Sequence, residues 1–239
     1  MEKTKNQKKR FAVVAAVLCL ALAAGLGTYA WLTAQNSLTN SFTVGNIKTP
    51  TTDPDNPDQP IPTDKSKVDG NLTETKWVAD SKLTPGATIA KNPNVGLGAG
   101  SDNAYVFVYV KNALVKEGTL VANAPYFTIG NDWKAVDAQT NGTDGQYIGG
   151  LFMYAKGQTQ LTEPGLLSAQ SDKDVYTGEL FSNVIVPQSL TKEMVNTGED
   201  SKADMTVYSY VFGADQADGA TDAAANALAQ AKAWANTLA

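Results

Sequence analysis

The 239-residue chain has no histidine, one cysteine (Cys19) and one arginine (Arg10). Cys19 and Arg10 both lie in the first thirty residues, so a chain that loses that segment has none of the three. These absences exclude Ser-His-Asp and Cys-His nucleophiles, zinc held by His or Cys, iron–sulfur clusters, disulfide frameworks and arginine clamps on phosphate. Carboxylates, Lys, Tyr, Ser and Thr remain for any chemistry. Charge is also sparse, at 18% of residues against 43% hydrophobic. That balance describes a globular chain rather than a disordered one, long enough for one large domain or two small ones.

What the chain does have begins with an export signal. Lys3, Lys5, Lys8, Lys9 and Arg10 form a basic start, and residues 11–27 (FAVVAAVLCLALAAGLG) are uninterrupted apolar sequence. Thr28 and Ala30 then supply small side chains at the −3 and −1 positions of a cleavage site that would leave Trp31 as the new N-terminus. The expectation is a helical signal peptide over residues 1–30. The competing reading is a retained membrane anchor, since seventeen apolar residues are at the short end of what spans a bilayer. Cys19 sits mid-run, after Val17 and Leu18, and reads as an ordinary residue of the apolar core rather than a lipid attachment point.

Five of the 19 basic groups and one of the 24 acids lie in that segment. The remainder holds 14 against 23, a net charge of −9. Nucleic acid and anionic lipid bind through clustered cations, so neither is expected as a partner. Membrane contact is expected only through an uncleaved signal.

Residues 31–49 contain one short strand, with Phe42, Val44 and Ile47 as its apolar members. Residues 50–66 hold five prolines and four aspartates, which predicts a semi-rigid solvated spacer over 50–68. Its aspartates lack the spacing of a calcium loop. From residue 69 the pattern is strand after strand, broken by Pro, Gly and Asn turns. Segments 75–78, 87–91, 104–111, 127–129, 133–136, 146–154, 179–186 and 204–212 are the candidates, and 190–195 suits a single helical turn. Residues 104–111 (AYVFVYVK) stand out, with Val106, Val108 and Val110 on one face and Tyr105, Phe107 and Tyr109 on the other. A strand apolar on both faces belongs at the centre of a sandwich. The final segment, 221–238, is Ala-rich and helical, capped by Thr221, with Ala227, Ala231, Trp234 and Leu238 as a narrow apolar stripe. It is expected to pack across one end of the sandwich.

Several blocks carry a family resemblance. They are GTYAW at 27–31, FTVGNI at 42–47, LTPG at 83–86, KNPNV at 91–95 and SDNAYVFV at 101–108. GELF at 178–181, VIVP at 184–187, YSYVF at 208–212 and QADG at 216–219 complete the set. In this order and signal context the chain resembles exported proteins of Gram-positive bacteria processed by the specialised signal peptidase SipW, the TasA and camelysin group of biofilm-matrix proteins. The resemblance implies a jelly-roll β-sandwich, secretion and, for some members, assembly into extracellular fibres. It also implies partners: the signal peptidase during export, then further copies of the chain or related matrix proteins. Camelysin-type members have been classed as metalloproteases, but no H-E-x-x-H helix exists here to hold zinc. The proline-rich insert after Ile47 is a second departure.

No residue set announces catalysis. Asp132, Asp137, Asp172, Asp174, Glu179, Glu199, Asp200 and Asp204 are scattered among turn residues and read as solvated. Gly96, Gly98 and Gly100 sit close together but do not open a helix and are followed by no Lys-Ser/Thr, so they are not a phosphate loop. Trp77, Trp133 and the tyrosines read as core. The expectation is therefore an all-β, jelly-roll-like sandwich with a C-terminal helix: a secreted, non-enzymatic, cofactor-free structural protein of the cell surface or biofilm matrix. Strand donation to a neighbouring copy, through Phe42, Val44 and Ile47, is the mechanical reading. The alternative for that strand is a return to its own sheet. The alternative for the protein is a secreted module that binds carbohydrate or a surface.

Overall fold

A ten-residue strand with no polar face has to be covered twice, and the fold follows from that. This strand, β6 (Ala104–Ala113), and the equally long β12 (Asp204–Gly213) pair antiparallel over their full lengths. The computed structural model describes residues 40–42 (backbone only), 46–64, 67–78, 81–158, 162–196, 204–214 and 222–238. The expected signal peptide over residues 1–30 and the expected cleavage residues Thr28, Ala30 and Trp31, together with Val44, lie outside the described residues.

The large sheet has the order β1-β12-β6-β8-β7, where β1 is Asn40–Phe42, β7 Trp133–Thr140 and β8 Tyr147–Tyr154. The short β9 (Leu166–Leu167) shares the edge of β6 with β8. All these pairings are antiparallel except that of β1, which runs parallel to β12. A second sheet orders β10 (Val175–Tyr176), β5 (Asn94–Leu97), β3 (Leu72–Thr73) and β2 (Val68–Asp69). A third pairs β11 (Asn183–Ile185) with β4 (Thr88–Ala90).

The predicted alternation in β6 sorts its residues between two cores. Val106, Val108 and Val110, with Val207, Val211 and Phe152, bury against Leu72, Val95, Leu97 and Val184 of the two smaller sheets. Further aromatics complete this core: Phe127 stacks on Phe181 with centroids 4.1 Å apart, and the Trp133 indole, at the start of β7, donates to the Gly178 carbonyl at 3.2 Å. The opposite face presents Phe107, Leu151, Met153, Tyr210 and Phe212, and these bury against the helix α1 (Ala223–Ala235) through Ala227, Ala231 and Ala235. Three alanines allow the helix backbone close to the sheet, and Trp234 stacks on Tyr210 at 5.1 Å. The chain is thus all-β with one C-terminal helix.

Several local expectations differ from the structure. The helix covers a face of the large sheet, not an end of the fold, because that face is the one left apolar. Its N-cap is Asp222, whose carboxylate accepts from the Ala225 N–H at 2.9 Å. Residues 75–78 form a turn, closed by the Trp77 N–H on the Glu74 carbonyl, and the strand lies upstream at Leu72–Thr73. Segment 190–195 forms turns without a helix. The Pro85-Gly86 turn forms as expected, with Gly86 at φ 79°.

The close helix–sheet approach sets a size limit at its centre. Ala231 is fully buried, whereas Ala229 is exposed. Replacing Ala231 with Leu should cost about 1–3 kcal/mol through overpacking. Ala229→Leu should stay within about 0.5 kcal/mol. Urea unfolding midpoints of the two variants check this.

Candidate functional site: the N-terminal strand and strap

The strongest concentration of specific contacts outside the cores lies where the N-terminal segment meets the domain. Strand β1 pairs Asn40 with Ser209, Ser41 with Tyr210 and Phe42 with Val211. After three residues outside the description, the chain continues as a strap over residues 46–61. The Asn46 N–H donates to the Asp102 carboxylate at 2.8 Å, and the Asp102 N–H returns to the Asn46 carbonyl at 2.9 Å. Lys48 repeats the pattern, donating its N–H to Ser101 Oγ at 2.9 Å and accepting from the Gly98 N–H at 2.9 Å. Between them Ile47 packs against the main core.

The glycines at 96 and 98 exist to let this strap in. A Cβ on Gly98 would overlap the Thr49 carbonyl, and one on Gly96 would strike the Tyr176 ring and approach Pro50 within 3.0 Å. Buried Asn71 ties the layers together by donating to the Lys48 carbonyl at 3.0 Å and the Gly96 carbonyl at 2.7 Å.

Asp174, which sequence reasoning read as a solvated turn residue, is the clamp. Its Oδ2 accepts from the Thr51 N–H at 2.6 Å, the Thr52 N–H at 2.8 Å and the Thr52 hydroxyl at 2.9 Å, while Oδ1 accepts from the Ala99 N–H at 2.9 Å. Burial alone would raise this carboxyl; the backbone N–H groups of Thr51, Thr52 and Ala99 outweigh it and hold the group below its ordinary value. The Tyr176 hydroxyl donates to the Thr52 carbonyl next to it.

Downstream, the Pro/Asp segment folds onto the domain instead of extending away from it. Asp53 N–H bonds to the Gln59 carbonyl at 2.9 Å and Ile61 N–H to the Thr51 carbonyl at 2.9 Å, closing a loop. Proline fixes φ and removes its own donor, but it leaves these intervening N–H groups free to pair. Asp55 accepts from the Thr75 hydroxyl and pairs with Lys76 at 3.4 Å. Lys76 also pairs with Glu179. That hydrogen bond leads in raising the lysine; on Glu179, burial pushes upward but the bonds from Lys76, Ser182 and Asn92 hold the carboxyl low. Behind this network Glu74 and Lys91 form a buried pair at 2.6 Å, with the ammonium 4.6 Å from the centre of the Trp77 ring.

Of the expected donor residues, Phe42 is in β1 and Ile47 lies in the strap, fixed on its own domain. Among the described residues no group of three or more acidic side chains is arranged to hold a metal ion. The glycines at alternate positions were the one linear signal for the strap, since glycine within a strand marks close backbone approach. Asp174 had none, because its strap partners Thr51 and Thr52 are more than 120 residues away.

Two outcomes test the clamp. Gly98→Val should cost about 1–3 kcal/mol and raise the rate of proteolytic cutting within residues 46–61. A carboxyl held low in the folded state stabilises above its unfolded pKa, and that contribution fades as pH falls through the folded value. Asp174→Asn should therefore destabilise the protein at neutral pH, and the difference from wild type should shrink on acidification, as read by thermal unfolding across pH.

No family model, curated protein or solved structure matches the chain, which leaves the strap and the β1 edge as the ground for a functional reading.

Proposed function

We propose that the protein is an exported structural protein of the cell surface or extracellular matrix, a jelly-roll-type sandwich that assembles end to end by exchange of its N-terminal strand. The observation that carries this reading is the place of β1 at the edge of the large sheet, ahead of a strap fixed to its own domain. Strand β1 meets the domain through three residue pairs at a sheet edge, while the strap beginning at Asn46 is bonded along its length. An edge site occupied by so short a strand can accept the same strand from another copy, with the same backbone bonds. Such a contact is heterologous and does not close, so repetition gives a filament. The basic, apolar N-terminus supports export, and the net charge of −9 for residues 31–239 supports solubility outside the cell. The absence of His and Cys from the same residues supports a non-enzymatic role.

Negative-stain microscopy with light scattering tests the mechanism on residues 31–239 beside a chain starting at Asn46, which keeps the strap. Concentration-dependent filaments from the longer chain alone are expected. Identical monomers from both would sink strand exchange.

A further inference from the structure

Among the described residues, Glu74 and Lys91 form the one ion pair withdrawn from water on both sides, with side chains 3% and 7% exposed. The lysines of the other pairs, Lys76 and Lys156, are 47% and 65% exposed. The buried pair is also poorly satisfied. Lys91 Nζ donates to Glu74 Oε2 at 2.6 Å, and the ammonium lies 4.6 Å from the centre of the Trp77 ring. Glu74 Oε1 is buried and has no hydrogen-bond partner among the described residues. Burying two charges for a single hydrogen bond is costly, because the attraction repays desolvation only when the remaining lone pairs and protons are satisfied too.

The backbone pins both residues in this arrangement. The Glu74 N–H donates to the Lys67 carbonyl at 2.6 Å, and the Glu74 carbonyl accepts from the Trp77 N–H at 3.0 Å. The Lys91 N–H donates to the Ser182 carbonyl at 3.2 Å. Held at hydrogen-bond distance from Oε2, Nζ stands next to Cδ. Fixed proximity of this kind corresponds to effective molarities of about 10⁵–10⁸ M in well-oriented intramolecular reactions.

We propose that Glu74 and Lys91 condense into an intramolecular isopeptide bond. The proton of the hydrogen bond passes from Nζ to Oε2, the freed lone pair attacks Cδ, and the Cδ–Oε2 bond breaks. The oxygen leaves as water with the two protons that Nζ gives up, and Oε1 stays as the amide oxygen. An ammonium and a carboxylate thereby become one neutral amide, with no oxidant or cofactor. Burial keeps out the water that would reverse the step. The product also suits the fold. Glu74 follows β3 and Lys91 follows β4, so the bond ties the second sheet to the third. Residues 31–239 contain no cysteine, so no disulfide can supply such a tie. The proposal is independent of strand exchange, because neither residue belongs to β1 or the strap.

Intact-mass spectrometry of the denatured full-length protein, with a tryptic map, tests it. The expected mass is below that of the sequence by one water, about 18 Da. Trypsin should fail to cut after Lys91, and a branched peptide should join residues 68–76 to 83–111. Lys91→Met should abolish the loss, whereas Lys76→Met, which breaks only the exposed pairs, should keep it. Glu74→Gln should form the same bond by releasing ammonia, a loss of about 17 Da. The wild-type map decides the matter even where a variant fails to fold. A wild-type mass equal to that of the sequence, free cleavage after Lys91, or a water loss that maps to another site would each overturn the proposal and leave an ordinary buried ion pair.

Discussion

Everything in this fold answers to the fact that β6 has no face it can show to water. Val106, Val108 and Val110 need one cover, and Phe107 with its tyrosine neighbours needs another. Two small sheets supply the first and α1 supplies the second. Strand β12 shares the problem and solves it by register: paired with β6 over ten residues, it sends Val207 and Val211 into one core and Tyr210 and Phe212 into the other. The alanine-rich composition of α1 follows, since Ala227, Ala231 and Ala235 let its backbone approach the aromatic face. A bulkier stripe would hold the helix off and leave Phe107 and Tyr210 half wet.

The second layer has its own constraint, which is to seat a chain segment across β5 and its extension. Glycines at 96 and 98 remove the side chains that would stand in the way, and Asp174 gathers the backbone donors that arrive there. A carboxylate accepting several N–H groups is an efficient anchor for irregular backbone, because each of those donors would otherwise lack a partner. The proline-rich loop then turns back and reaches the ion pairs of Lys76. Its prolines shape the turn, while Thr51, Thr52, Asp53 and Asp55 attach it.

The central strands were legible in the sequence because their signal is local: alternation in 104–111 is a property of eight consecutive residues. The helix was legible for the same reason, though which face of the sheet it covers was not, since that depends on what the other layers leave exposed. Residues 75–78 read as a strand from composition, but Thr75, Lys76 and Trp77 serve a turn whose partners Asp55, Lys91 and Glu179 come from elsewhere in the chain. Asp174 was illegible for the same reason, since its strap partners Thr51 and Thr52 lie more than a hundred residues away. The glycines at 96, 98 and 100 were visible as a cluster, but linear context alone could not say whether a ligand or the chain itself lay against them.

The contrast between β1 and the strap bears on how an assembly could form without unfolding the domain. Among the described residues, both cores consist of residues C-terminal to Asn46, as do the strap contacts of Asp102, Ser101, Gly98 and Asp174. Departure of β1 breaks its backbone pairing with Ser209–Val211, and pairing with an incoming copy restores the same backbone bonds. The cost of exchange reduces to losing the advantage of an intramolecular partner, which rising concentration offsets. Firm fixation of Ile47 and its neighbours makes this possible, because it holds the strap on its own domain whether or not β1 stays paired.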